Sequence, residues 1–378
     1  MNPQCNNQGD TTISGLERVV NVFAGRSVDR LPVGEDFWGE TLAKWRMEGN
    51  LGQDESPIEH FELDLDRAGL VTWYVNPADG WTVVEEDDET VTITDPNGAT
   101  IRTCKGHAGG SAHISCRVYD RETWESFAKP HLSKLDPTRI PFEAYRKARM
   151  ASMAANRHFS NDGFGPFEMM HRLLGHENLL MSMALEPEWV RDMADTYCEF
   201  NIRHWDELFR REGLPQATWI AEDLGYKFKP FMSNAMFEEI FLPGYARMFE
   251  WLHGRGLKVI LHSCGFVEPF LSLLFEAGLD CLEGMEVKAG MDLPTLFRTF
   301  GDRVVWYGNI DIRTLESNDL SLVAAEVKAK VGAAVCAGAR YMVHSDHSIS
   351  PKVEYSTYRA FLERVRRPLG TIRSQVPG

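Results

Sequence analysis

The chain of 378 residues has no apolar run close to the roughly 20 residues that a bilayer-spanning helix requires. Its seven cysteines (Cys5, Cys104, Cys116, Cys198, Cys264, Cys281 and Cys336) form no CxxC pair and are odd in number. A disulfide framework is thereby excluded, and reduced thiols in a cytoplasm are expected. Positive charge is in short supply: 40 Lys+Arg against 55 Asp+Glu leave a net charge of −15. A protein whose main partner is a phosphate backbone needs the opposite balance, so nucleic acid is excluded as the principal ligand, while a small anion in a local basic pocket is not. The start, Met1–Asp10, has neither a basic nor an apolar region, so no secretory signal is expected there. No internal repeat, low-complexity stretch or Pro/Ser-rich linker interrupts the sequence, which predicts one domain over 1–378. With 43% hydrophobic and 25% charged residues, the composition is that of a soluble globular protein. A cytoplasmic enzyme is the class that remains.

What is present is an alternation of short apolar runs with longer helical patterns. Leu31–Trp38, Leu70–Val75, His158–Asp162, Ala217–Ala221, Lys258–His262, Cys281–Val287, Val304–Tyr307 and Ala339–Val343 read as strands. Helical stretches such as Glu188–Arg211, Ala235–His253, Pro269–Ala277 and Leu320–Val335 lie between them. Such alternation requires parallel crossovers and a parallel sheet covered by helices. Eight strand–helix units favour a closed (β/α)8 barrel over an open doubly wound sheet, and no GxGxxG follows the early strands to support a dinucleotide-binding version of the latter. One segment breaks the rhythm. Trp81–Val84, Thr90–Thr94 and Ala99–Cys104 carry β-formers around the turn Asp95-Pro96-Asn97-Gly98, which predicts an antiparallel β-hairpin insertion over 81–119. The glycine-rich patch Gly106–Gly110 reads as a mobile loop within it.

Three patterns carry possible chemistry. In Lys258-Val-Ile-Leu-His262-Ser-Cys264-Gly265 an apolar strand runs into a His and a Cys two residues apart. Side chains at i and i+2 leave a strand on one face, so imidazole and thiol can converge, and both suit zinc. The carboxyl end of a barrel strand is also where active sites of this architecture lie. The alternative is a buried Cys beside a hydrogen-bonded His. The second pattern, His344-Ser-Asp346-His347 before Pro351, follows the last strand; helix capping by Asp346 and Ser348 is its alternative. In the third, the acidic pair Glu222-Asp223 follows the strand ending at Ala221. Adjacent carboxylates point apart, so one of the two is expected in the pocket, with a cap on the following helix as the alternative. Glu283, Glu286, Asn309 and Asp311 also stand at strand ends, where rim hydrogen bonding competes with substrate binding. Glu35 or Asp36 can enter the pocket from the first strand, whereas Arg26, Asp29 and Arg30 precede it, on the side away from the active face.

Several stretches resemble the uroporphyrinogen decarboxylase superfamily in the order its members carry them: Phe23-Ala-Gly-Arg-Ser-Val-Asp29-Arg30-Leu-Pro-Val33, Gly165-Pro166-Phe167, Phe231-Met-Ser233-Asn234, Phe241-Leu-Pro243-Gly-Tyr245, His262-Ser-Cys-Gly265, Gly301-Asp302-Arg303 and Tyr307-Gly308-Asn309-Ile310-Asp311. The resemblance implies a (β/α)8 barrel. The Arg-rich segment that uroporphyrinogen decarboxylases carry near the first strand is missing from Leu31–Trp38, and no Asp closes the second strand before Asp79. A polycarboxylate tetrapyrrole needs cationic anchors. The chain is therefore more similar to the superfamily's cobalamin-dependent methyltransferases, which move a methyl group between a small molecule and a corrinoid protein. That likeness implies zinc held by His262, Cys264 and a third ligand at His347, reached by counting back from Pro351, with Asp346 the alternative third ligand. It implies Glu222 or Asp223 as the group that holds or protonates substrate. Asp36, Trp38, Tyr226, Glu286, Asn309 and Asp311 would line the substrate site, with Trp73 either there or in the core. The cobalamin would be carried by a partner corrinoid protein over the barrel mouth, the substrate would be a methyl ether (as in an O-demethylase), amine or thiol, and a homodimer is possible in such a family. A carboxy-lyase on a smaller carboxylate and a non-catalytic binding barrel are the alternatives.

Overall fold

The computed structural model describes residues 13–105 and 111–373; Cys5, Met1–Asp10 and Gly106–Gly110 lie outside the described residues. Seven parallel strands follow one another in chain order around a curled sheet: Leu65–Ala68, His158–Phe164, Ala217–Ala221, Lys258–Ser263, Cys281–Gly284, Val305–Gly308 and Tyr341–Met342. The segment 32–38 occupies the eighth position without forming a regular strand. Val33 bridges Val343 and Phe37 bridges Ile349, both parallel, while the Asp64 N–H donates to Val33 O at 2.8 Å on the other side. The ring is thereby joined end to end, and the barrel reading holds. Helices such as Pro187–Glu212 and Leu320–Ala337 cover it. None of the described helices is long and apolar enough to cross a membrane.

One strand is displaced from its expected place. The second barrel strand is Leu65–Ala68, and Leu70–Val75 is loop. Gly69, at φ +103°, turns the chain out of the sheet; a Cβ there would meet the Tyr145 ring at 2.6 Å. The carbonyls of Thr72, Tyr74 and Val75, which a ladder would otherwise satisfy, accept hydrogen bonds from the Arg139 guanidinium. Apolar content misled because Val71, Trp73 and Val75 are buried, but under loops rather than in the sheet. The insertion is larger than a hairpin. Thr82–Glu86, Thr90–Thr94, Thr100–Cys104 and Ser111–Ser115 form a four-stranded antiparallel meander. Its Asp95–Gly98 turn is built as its residues dictate: Asp95 Oδ1 accepts from the N–H groups of Asn97 and Ala99, each at 2.9 Å.

Along the barrel strands alternate side chains face inward. Leu65, Ala217, Ile260, Cys281, Val305 and Met342 pack together at the amino ends, closed from below by Val19 and Val22 of the helix Gly15–Phe23. That helix starts at a capping box, in which Ser14 and Glu17 exchange hydrogen bonds. It is tied to the barrel by an ion cluster that includes Asp29 and Arg30, both expected on the side away from the active face. Arg18 binds Asp29 and Asp64, and Asp64 also receives Arg30 and the Val33 N–H. Arg18 and Asp64 are each only 3% exposed.

Removing Asp64 would leave the Arg18 guanidinium buried with one partner fewer, a change that typically costs about 3–5 kcal/mol. Asp64→Ala is expected to lower the urea-unfolding free energy by that order, whereas Glu85→Ala, which breaks the exposed Arg102 pair, should change it by less than about 1 kcal/mol. Equal effects of the two substitutions would show that the ions beneath the barrel do not secure it.

Candidate active site in the barrel mouth

One step above the apolar floor the inward positions become polar. Arg67, Asp162, Trp219, Tyr307 and His344 line a cavity of about 300 Å³ together with Glu35 and Asp36. His262 and Glu283 are register partners on adjacent strands, as are Glu283 and Tyr307. Glu283 joins the group. Its Oε2 accepts from His262 Nδ1 at 2.5 Å and from Trp219 Nε1 at 3.2 Å, and its Oε1 lies 3.3 Å from His344 Nδ1, an ionic contact without hydrogen-bond geometry. His344 Nε2 in turn lies 3.3 Å from Glu35 and 3.6 Å from Asp36. Asp36 also accepts from Arg67 at 2.7 Å, and the Arg67 guanidinium covers the Trp219 face at 3.5 Å.

These contacts set the charge states. Burial alone would lower the His344 imidazole, but Glu35, Glu283 and Asp36 push it up to about 10. Burial raises Asp36, yet Arg67, His344 and His262 hold it well below the usual carboxylate range. Glu35, fully enclosed, is raised by burial to about 7 despite His344 and the Ser345 hydroxyl. Burial likewise lifts Asp162 to about 6, against the pull of Arg67.

Above the cavity, His262, Cys264 and Asp223 converge. One donor atom from each lies within 4.8 Å of the others, a group unique in this respect among the described residues. Cys264 Sγ is 3.4 Å and Asp223 Oδ1 3.6 Å from His262 Nε2. Glu283 engages Nδ1, so Nε2 is the nitrogen that faces Cys264 and Asp223; burial lowers the imidazole, but Glu283 and Cys264 raise it well above its ordinary value. Burial pushes the Cys264 thiol up to about 11, against the pull of His262. The loops carrying these residues touch backbone to backbone. A Cβ on Gly225 would lie 2.5 Å from the Gly265 carbonyl carbon, and one on Gly265, whose φ is +77°, 2.1 Å from that of Gly225. Only glycine permits this approach, which lets Asp223 Oδ1 accept from the Cys264 N–H at 3.0 Å. Glu286 accepts from the Gly265 N–H at 2.7 Å and pairs with Lys288, so it holds the Cys264 loop from the other side.

Several expected site residues do other work. Glu222 is fully buried and faces away from the pocket: it accepts the N–H groups of Phe167 and Glu168, each at 2.8 Å, and the Tyr245 hydroxyl. It is in phase with Thr218 and Ile220 on the outer face of its strand, whereas Trp219 faces in, so it meets the start of the helix Pro166–Leu174. Of the acidic pair, Asp223 is the one at the mouth, with its side chain 43% exposed. Asn309 is buried at φ +67°, donating to the carbonyls of Met285 and Met291 and accepting from Lys330. It locks the loops beneath the rim, with both its amide oxygen and its amide nitrogen engaged within the chain. Asp311 caps the helix Ile312–Glu316 and pairs with Arg313. Asp346 has both oxygens engaged, by the N–H groups of Val287 and Ile312 at 2.8 Å, so it joins two loops and is not part of the His262–Cys264–Asp223 group. His347 stands outside the converging group; its Nδ1 accepts from the Ser348 N–H at 2.9 Å and its ring lies 6.1 Å from that of Trp38. Tyr226 is exposed on a short hairpin, against Phe231, and Trp73 is core. Arg67, Asp162, Trp219 and Tyr307 were not foreseen as site residues. Their signal is parity: each is two residues beyond a small, polar or apolar inward residue of its own strand.

The uroporphyrinogen decarboxylase (URO-D) family matches residues 152–368, more than half of the 378-residue chain. A search of curated proteins gives no match. Among solved structures, a methyltransferase from Methanosarcina mazei superposes with a TM-score of 0.62 at 16% identity, covering 93% of this chain and 98% of its own. An endo-β-1,4-xylanase from Gloeophyllum trabeum follows at 0.40 and 10% identity (61% and 82% covered), and Dispersin B at 0.32 and 11% (59% and 76%). The first of these shows a shared fold; the other two are too distant to bear on it.

The His344 value has a measurable consequence. It lies above the 6.5 of an unpaired imidazole, so the stability that His344 contributes is complete below about pH 6.5 and is lost as pH rises toward 10. The Tm difference between the wild type and His344→Gln, facing Glu35, Asp36, Glu283 and Tyr307, should therefore narrow steadily from pH 7 to pH 10. A constant difference would show that the imidazole is not held as a cation.

Proposed function

Because the chain belongs to the uroporphyrinogen decarboxylase family, we propose that it is a zinc-dependent methyltransferase of that family, moving a methyl group between a small molecule and a corrinoid protein docked over the barrel mouth. The observation that carries this reading is the convergence of His262 Nε2, Cys264 Sγ and an Asp223 oxygen at the carboxyl end of the barrel. Nitrogen, sulfur and oxygen donors of this kind are zinc ligands, and three protein ligands with a position left for substrate are the pattern of catalytic zinc. The donors fit the ion in a second respect: the carboxylate of Glu283 behind His262 fixes the tautomer a metal requires. The local geometry favours Asp223 as the third ligand over His347, which stays the neighbouring alternative.

Bound there, zinc would polarise the heteroatom that carries or accepts the methyl group. The chain's own residues do the rest. Glu283 orients His262, and Glu286 holds the Cys264 loop at the Gly265 N–H. If His347 is the third ligand, Asp223, the exposed member of the group, is instead placed to take or give a proton at the substrate heteroatom. Trp38 and Tyr226 stand at the rim, where a substrate and a partner protein would meet the chain. Arg67, the one arginine lining the cavity, is engaged by Asp36, which disfavours a carboxylate substrate and with it the carboxy-lyase reading.

Zinc analysis of the purified protein tests this directly. About one zinc per chain is expected in the wild type, with loss of most of it in His262→Ala, Cys264→Ala and Asp223→Ala, and retention in Glu222→Gln. Loss in His347→Ala but not Asp223→Ala would transfer the third ligand to His347. A wild type that takes up no zinc would leave metal-free decarboxylation or ligand binding as the function to pursue.

A further inference from the structure

The cavity beneath the converging donors holds more carboxyl groups than cations. Glu35, Asp36 and Asp162 line it with only Arg67 and His344 as cations; the fourth carboxylate, Asp66, is turned to Ser152 and Arg157. Arg67 is shared, hydrogen-bonded to Asp36 at 2.7 Å and only 3.5 Å from Asp162 through Nε. Among the described residues the Asp162 carboxylate accepts no hydrogen bond, and its buried Oδ1 has only the 3.5 Å ionic contact with Arg67. Glu283 Oε1, behind His344 and on a side chain only 1% exposed, likewise lacks a donor. A buried carboxylate oxygen without a donor is costly, so these oxygens call for a donor or a cation from outside the chain.

The size and shape of the space narrow what that can be. The cavity's carboxylates and His344 do not bring three donor atoms within 4.8 Å of one another, so a single metal ion cannot satisfy them. At about 300 Å³ the cavity stands at the lower end of ligand pockets. An anion would meet three carboxylates and an arginine already paired. A guanidinium or aromatic cation would compete with Arg67 for the Trp219 face.

We propose that this cavity is the binding site for a small protonated amine, with its N–H directed to the Asp162 carboxylate and its charge shared with Asp36 and Glu35. The cavity adjoins the donor group through Trp219, whose ring centroid is 5.4 Å from that of His262 and whose indole N–H shares Glu283 with it. For its role as substrate, the inference rests on the methyltransferase reading and selects a methylated amine over an ether or thiol. The binding itself does not depend on that reading.

The test is isothermal titration calorimetry of the purified protein with dimethylammonium and trimethylammonium chloride, against sodium chloride and near-isosteric neutral tert-butanol. One saturable site is expected for an ammonium ion, at least tenfold tighter than for tert-butanol. Asp162→Asn should weaken it at least tenfold, while Glu85→Gln on the antiparallel sheet leaves it unchanged. Should Asp162→Asn fail to fold, as read by circular dichroism, the comparison of ammonium with tert-butanol in the wild type decides. Absence of saturable heat, which would mean that the cavity holds only water, overturns the proposal, as does equal affinity for tert-butanol or an unchanged Asp162→Asn. Zinc content of the same samples separates the two readings: zinc without ammonium binding defeats only the amine, and ammonium binding without zinc defeats only the methyltransferase.

Discussion

One buried carboxylate holds the functional half of the barrel together. Glu283 sits between His262 and His344 and takes the Trp219 indole N–H as well. A carboxylate in so enclosed a place is tolerated only because two imidazoles face it, and each imidazole is tolerated because of carboxylates around it. The polar ring is therefore an interdependent unit: Arg67 and His344 stabilise Asp36, Asp36 and Glu35 keep His344 charged, and Glu283 sets which nitrogen of His262 faces Cys264 and Asp223. Such networks are costly when incomplete, which gives the remaining unpaired oxygens their significance.

The ring can exist because the floor below it is ordinary. Leu65, Ala217, Ile260, Cys281, Val305 and Met342 fill the amino end of the barrel and the helix Gly15–Phe23 seals it, with Arg18 and Asp64 fastening the seal. The ionic fastening and the polar ring thus lie at opposite ends of the same strands, the division general for parallel barrels. At the upper end, glycines rather than side chains decide the geometry. Gly225 and Gly265 let two loops meet at backbone distance, and Gly284, at φ +91°, leaves room for the His262 ring 3.3 Å from where its Cβ would lie. The proximity of Asp223 to Cys264 follows from this approach and not from any strand pairing.

Much of the frame was legible in the chain. Strand–helix alternation implies a parallel barrel because parallel strands cannot be joined without crossovers, and the turn Asp95–Gly98 announces the antiparallel insertion through residue chemistry that acts locally. The HxC spacing likewise identifies two side chains on one face. Errors arose where apolar content was read as sheet, as in Leu70–Val75, since burial under a loop and burial in a strand leave the same trace in composition. A polar residue at a strand end likewise carries two readings that the sequence does not separate. Glu222, Asn309, Asp311 and Asp346 have polar side chains because helix starts and left-handed loop residues also need hydrogen bonds, and those needs look identical in the sequence.

The sequence by itself determined the class of fold, the order of its strands, and the His262–Cys264 pair, all consequences of periodicities that act within a few residues of one another. Tertiary structure alone decided which third group meets that pair, which of Glu222 and Asp223 faces the mouth, and that Arg67, Asp162, Glu283 and His344 share one interior. Those outcomes depend on the register between strands far apart in the chain and on the close approach of two glycine loops. Register is settled only when the whole barrel closes, because a shift of one residue turns every side chain of a strand to the opposite face.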